Sequence, residues 1–206
     1  MGYTKTELVN MALAHLGVGQ GIDDFDTDTS AEAGYARQFF DIVRDQVFRD
    51  FPHPWAMRQA ALALVNDDED VAYSDEYFYA FRYPADCLHF NRLVTGSVPE
   101  LHGDRVPFRQ SYDAEGKLIL TNVGSSIVGE YTALVTDTTL WPSDFSMCVT
   151  LRLAWRLSST LPRGDVFGLG KRALQEYMME TERSRANAAN EEEPEAPADA
   201  PWISGR

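Results

Sequence analysis

Up to Phe51 the hydrophobic positions of the chain repeat at helical spacing. Thr4-Lys5-Thr6-Glu7 has the form of a capping box, in which the Thr hydroxyl and the Glu carboxylate each satisfy an amide left unpaired by the first helical turn. Leu8, Met11, Ala12 and Leu16 follow at helical spacing and Gly17 offers a left-handed stop, so a helix is predicted from Thr4 to Leu16. Thr29-Ser30-Ala31-Glu32 repeats the box. Behind it Ala33, Ala36, Phe39, Phe40, Val43 and Val47 form an apolar stripe, with Asp41, Arg44, Asp45 and Arg49 assigned to the opposite side, and Pro52 and Pro54 end the helix.

From Met57 the period becomes extended. Ala61 to Val65, Tyr77 to Tyr83, Cys87 to Thr95, Val106 to Tyr112, Lys117 to Thr121 and Ile127 to Thr136 are short runs rich in β-branched and aromatic residues, separated by turn residues; they predict about six strands in one antiparallel lobe. Trp141-Pro142-Ser143-Asp144 reopens helix. Phe145, Cys148, Val149, Leu151, Ala154, Trp155 and Leu157 cover more than half of its circumference, which puts this helix at the centre of a bundle. A last helix is predicted near Asp165 to Ala189, with Phe167, Gly170, Leu174, Tyr177, Met178 and Thr181 on one side. The expected fold class is α+β: a four-helix bundle (1–56 plus 140–189) with an inserted antiparallel β lobe (57–139) and an extended acidic Pro/Ala docking arm (190–206).

Charge narrows the function. The chain has 18 Lys and Arg against 32 Asp and Glu, a formal net charge of −14, which disfavours tight binding to phosphate backbones and to anionic membrane surfaces. The only basic concentration, Arg152, Arg156, Arg163, Lys171 and Arg172, is expected to pair with acids of neighbouring subunits or partners. No run approaches the roughly 18 apolar residues of a membrane span, and the N-terminal residues lack a signal-peptide pattern, so synthesis is expected to end in a cytoplasm.

Candidate chemistry is sparse. Asp24, Asp26 and Asp28 have the alternate spacing of a calcium loop, but Thr29 and Tyr35 occupy the positions that need Gly and a bidentate Glu. Gly17-Val18-Gly19-Gln20-Gly21 follows a helix and lacks the Lys-Ser/Thr of a phosphate-binding loop. His15, His53, His89 and His102 form no ligand pair, and Cys87 and Cys148 form no CxxC, so they read as buried thiols. The sequence therefore offers no catalytic, metal-binding or cofactor-binding residues, and the chain is not expected to be an enzyme.

The C-terminal segment reads differently. Three consecutive glutamates and alternating Pro and Ala lead to Pro201-Trp202-Ile203-Ser204-Gly205-Arg206, and Trp and Arg are the anchors enriched at interface hot spots. Together with Thr4 to Leu13 and Leu16-Gly17, Phe39 to Asp45 leading to Phe51-Pro52-His53-Pro54-Trp55, Tyr79 to Leu88, and Tyr131 to Asp137, this ending resembles the phage head-to-tail adaptor proteins related to podovirus tail tubular protein A. The resemblance covers nearly the whole chain. It implies a virion protein made in the bacterial host cytoplasm, forming a homo-oligomeric ring, typically of 12 copies, beneath the portal protein. A tail nozzle or tail completion protein would meet its other face, and DNA would pass through unbound. It also implies that the arm docks on the portal through Pro201, Trp202, Ile203 and Arg206. The competing readings are a tail completion protein, an assembly chaperone or a small hydrolase.

Overall fold

A computed structural model of the chain describes residues 2–66, 72–94, 106–124, 126–160, 165 and 167–191. The chain divides into a helical unit, Met1–Pro54 with Leu134–Glu192, and a β unit that includes Trp55–Ala133.

In the helical unit, α1 (Lys5–His15) begins at Thr4, whose hydroxyl accepts from the Glu7 amide at 3.2 Å while its own amide donates to the Glu7 carboxylate at 2.7 Å. It ends in a Schellman turn: Gly17, at φ 71°, donates to Ala14 and Val18 donates to Leu13. Asn10 then clamps the following loop, exchanging two hydrogen bonds with the Ile22 backbone at 2.7 and 3.0 Å. Helix α2 (Ala31–Asp50) is capped by Ser30 and buries Ala33, Ala36, Phe40, Val43, Val47 and Phe48. Arg44, assigned above to the opposite side, is buried too. It falls on the 40-43-44-47 face, and its guanidinium is neutralised by Asp41 and Asp45 at 2.8 Å each.

Helix α3 (Ser143–Ser158) buries residues around most of its circumference, from Phe145 to Leu157. It packs against α1, α2 and α4 (Leu169–Glu191), whereas α1 touches α4 only lightly; among the described residues α2 meets α4 at Asp50, which bonds Tyr177, and meets α1 where Lys5 lies over the Phe40 ring, rather than along its length. The α+β content stands, but the expected four-helix bundle is overturned. In a bundle of four, each helix buries one stripe against two neighbours and none is central. A helix apolar on nearly every side needs a neighbour on each, and α3 has three. Its N-terminal end meets an aromatic group: Trp141 donates Nε1–H to the Val135 carbonyl at 2.9 Å, with Phe40, Phe48 and Phe145 at 6.2, 6.5 and 5.0 Å between ring centroids.

The β unit, expected as about six strands in one antiparallel lobe, pairs its described strands antiparallel throughout. Seven strands form two antiparallel sheets, in the orders β1-β7-β4 and β2-β3-β6-β5. They are β1 (Met57–Ala61), β2 (Ala63–Leu64), β3 (Tyr79–Arg82), β4 (Cys87–Val94), β5 (Arg109–Asp113), β6 (Gly116–Thr121) and β7 (Val128–Ala133). Between β1 and β2 the chain changes sheet at Leu62, whose amide bonds the Ile127 carbonyl. Phe81 and Ile119 of one sheet and Phe90, Leu93 and Tyr131 of the other share a core, while Ala80, Leu118 and Leu120 form a smaller cluster. Alternate residues of β6 thus enter two cores, which explains a run without polar alternation. Gly129 is required by packing, since a Cβ there would meet the Phe90 ring at 2.5 Å.

Candidate interaction surface

Pro201, Trp202, Ile203 and Arg206 lie outside the described residues, as do His102 and Arg163. Helix α4 runs through Glu191, so the first two residues assigned to the arm are helical.

Helix α4 presents two faces of different chemistry. Its inner stripe is Ala173, Tyr177, Thr181 and Ser184, all small or polar apart from one ring. Phe167 and Met178, expected on that side, are 85% and 59% exposed. Phe167 precedes the helix, and Met178 is rotated about 100° from Tyr177 by its single-residue offset. An inner stripe poor in apolar surface is docked by hydrogen bonds. The Tyr177 hydroxyl donates to Asp50 and accepts from Arg152 at 2.9 Å, and Arg152 also reaches Asp50 at 2.9 Å and Gln46 at 3.2 Å. One turn on, Thr181 lies 3.9 Å from the Cys148 sulfur, and about two turns on Ser184 donates to Asp144. Burial, helped by the bond to Asp50, pushes the Tyr177 phenol up to about 12, so it is a neutral donor at any physiological pH.

The outer face leaves Met178 and Met179 turned to solvent, Met179 66% exposed, beside Gln175 and Glu182. Helix α2 exposes Ile42 to 53%. Around the two Met residues the charges are spent within the helix, in the pairs Arg172 with Glu176, Arg183 with Glu180 and Arg185 with Glu182.

Three of the five cations of the basic concentration around α3 and α4 have partners within the chain. Arg152 and Arg172 pair within the chain, and Arg156 stacks 4.6 Å over the Trp155 ring. In the β unit Arg58, Arg82, Arg92 and Arg109 each hold a carboxylate, and Lys117 lies over Tyr83. Arg37 donates to the Phe25 and Asp28 carbonyls.

Asp24, Asp26 and Asp28 are not gathered about a common point. Asp24 accepts from the amides of Asp26 and Thr27 and from the Thr27 hydroxyl; Asp28 accepts from the amides of Asp23 and Ser30. These bonds hold both carboxyls below the ordinary range. His15 faces Glu176 at 3.8 Å, His53 sits among aromatic rings, and His89 is exposed on β4. Both cysteines are free; burial raises Cys87 to about 11 and Cys148 to about 12. Among the described residues no three His, Cys, Asp or Glu side chains are grouped to hold a metal ion, and no helix is long and apolar enough to cross a membrane. Two features escaped the sequence pattern: the Asp50-Arg152-Tyr177 cluster and the solvent-facing Met pair. The first joins residues of three helices, and the second begins at Met178, which adjoins the buried Tyr177 in sequence.

A scan of known protein families and a search of curated proteins find no match to this chain.

Proposed function

We propose that the chain is a structural head-to-tail adaptor of a tailed phage virion, a subunit that closes into a ring between the portal and the tail. The observation that carries this reading is the exposure of large apolar side chains on two helices that do not pack along one another: Ile42 on α2, and Met178 and Met179 on α4. A contact between two different patches of identical chains is heterologous, and it closes into a ring when its rotation divides a full turn. Burial of these side chains would contribute about 1 to 2 kcal/mol each.

The acidity supports the same reading, because a channel that passes DNA must not grip phosphates. The sequence resemblance adds the rest: twelve copies, a tail nozzle or completion protein on one face, and the portal on the other, reached by the arm ending in Pro201, Trp202, Ile203 and Arg206. The test is to place charge on the outer face of α4. Met178→Glu combined with Met179→Glu should leave the circular dichroism unchanged and abolish rings seen by electron microscopy. Rings that persist in this variant would remove α4 from the contact.

A further inference from the structure

The chain leaves the helical unit through Phe51-Pro52-His53-Pro54, and the deepest residue of that crossing is His53, 2% exposed. Its ring centroid lies 3.9 Å from that of Phe51, 4.9 Å from that of Phe145 and 5.9 Å from that of Phe48, the last two edge-on. Nε2 stands 3.3 Å from the Val47 carbonyl, one of the last four of α2, which the helix cannot itself pair. The neutral tautomer with its proton on Nε2 donates to that carbonyl. Pro52 and Pro54 bring no amide donors to this stretch. We propose that His53 is a proton-released pin: neutral, it locks the crossing into the aromatic core of the helical unit, and protonated, it lets the crossing go.

The charged groups around it come from three helices. Asp50 ends α2 and Asp144 begins α3, and both favour an imidazolium. From α4, Arg185 lies 5.6 Å over the Phe51 ring and donates to the Asp50 carbonyl, opposing one. Burial among three rings outweighs the Val47 carbonyl and the two carboxylates, all of which favour the proton, and holds the proton affinity of His53 below the ordinary imidazole value. The unfolded segment therefore binds a proton more readily than the folded one. The contribution of the pin is complete above about pH 6.5 and is lost as pH falls from there toward the lower folded value. The pin belongs to the single chain and acts in whatever assembly the chain joins.

Hydrogen exchange of the full chain, corrected for intrinsic rates and followed from about pH 7.5 to about pH 5, tests it. Opening at Phe48, Phe51 and His53 should rise by up to about tenfold per pH unit below about 6.5, while Leu118 and Ile119 of β6 stay level. His53→Gln, which keeps a donor toward Val47, and His53→Phe, which fills the cage without a titrating group, should both abolish the rise. A flat wild-type profile, an equal rise in β6, or the same rise in His53→Gln would overturn the pin. A second readout is independent of the variants: the imidazole resonance of His53 should titrate below 6.5, and a midpoint at or above that value refutes the mechanism.

Discussion

Replacing Tyr177 by Phe isolates the polar docking of α4. The substitution removes one oxygen and keeps the ring, which is 5% exposed and contacts Arg152 at 5.0 Å from the guanidinium carbon. Two hydrogen bonds are lost, both to charged partners, and such bonds are worth about 1.5 to 3 kcal/mol each. Part of that returns, because Arg152 and Asp50 remain bonded to one another at 2.9 Å and neither charge is orphaned. The net loss should be about 1.5 to 2 kcal/mol, read as a lower midpoint with an unchanged slope in urea unfolding followed by far-ultraviolet circular dichroism. Asp50→Asn should cost at least as much, since it weakens the acceptor for both Arg152 and Tyr177. The double variant should cost less than the sum of the two. A loss below about 0.5 kcal/mol for Tyr177→Phe, or strict additivity with Asp50→Asn, would refute the claim that hydrogen bonds rather than apolar burial hold this helix.

Three further outcomes are expected. Arg82 binds Asp113 through two hydrogen bonds at 2.7 and 2.9 Å, and they hold the Asp113 carboxyl at about 2. Its folded value is depressed, so its contribution is present above the ordinary 3.8 and disappears as pH falls through about 2; by nuclear magnetic resonance Arg82→Met should return its titration toward 3.8. Duplex DNA should show no binding in the micromolar range at moderate salt, by fluorescence anisotropy, given a net charge of −14; tight binding with a steep salt slope contradicts this. Trp202→Ala and deletion of Pro201 to Arg206 should leave folding intact and reduce attachment to portal-bearing heads, because losing a buried Trp anchor costs about 2 to 4 kcal/mol and the loss repeats around the ring; unchanged attachment would make the segment a solubilising tail.

Local chemistry was legible in the sequence, and partnership was not. The Thr4 capping box and the Gly17 stop are formed within a few residues of one another, so their spacing reveals them. The apolar circumference of α3 was equally readable, yet a pattern says how much of a helix is covered and not by which neighbours. That is why a central helix with three partners read as a bundle of four. Strand β1, Met57-Arg58-Gln59-Ala60-Ala61, has no β-branched residue; its pairing with β7, from Met57 opposite Thr132 to Ala61 opposite Val128, is imposed by tertiary structure. In α4 the inner stripe is so short of large apolar residues that hydrophobicity alone favours Phe167 and Met178 for it over Ala173 and Ser184. Asp50 lies 127 residues from Tyr177 and 102 from Arg152, beyond the reach of any periodicity.

Assembly is tested most directly by the mass and symmetry of the chain in mass-resolved chromatography with electron microscopy, alone and after addition of portal protein. A closed ring with cyclic symmetry, at or near twelve copies and lost in the Met178→Glu, Met179→Glu variant, is the predicted result. A strict monomer under both conditions would contradict it.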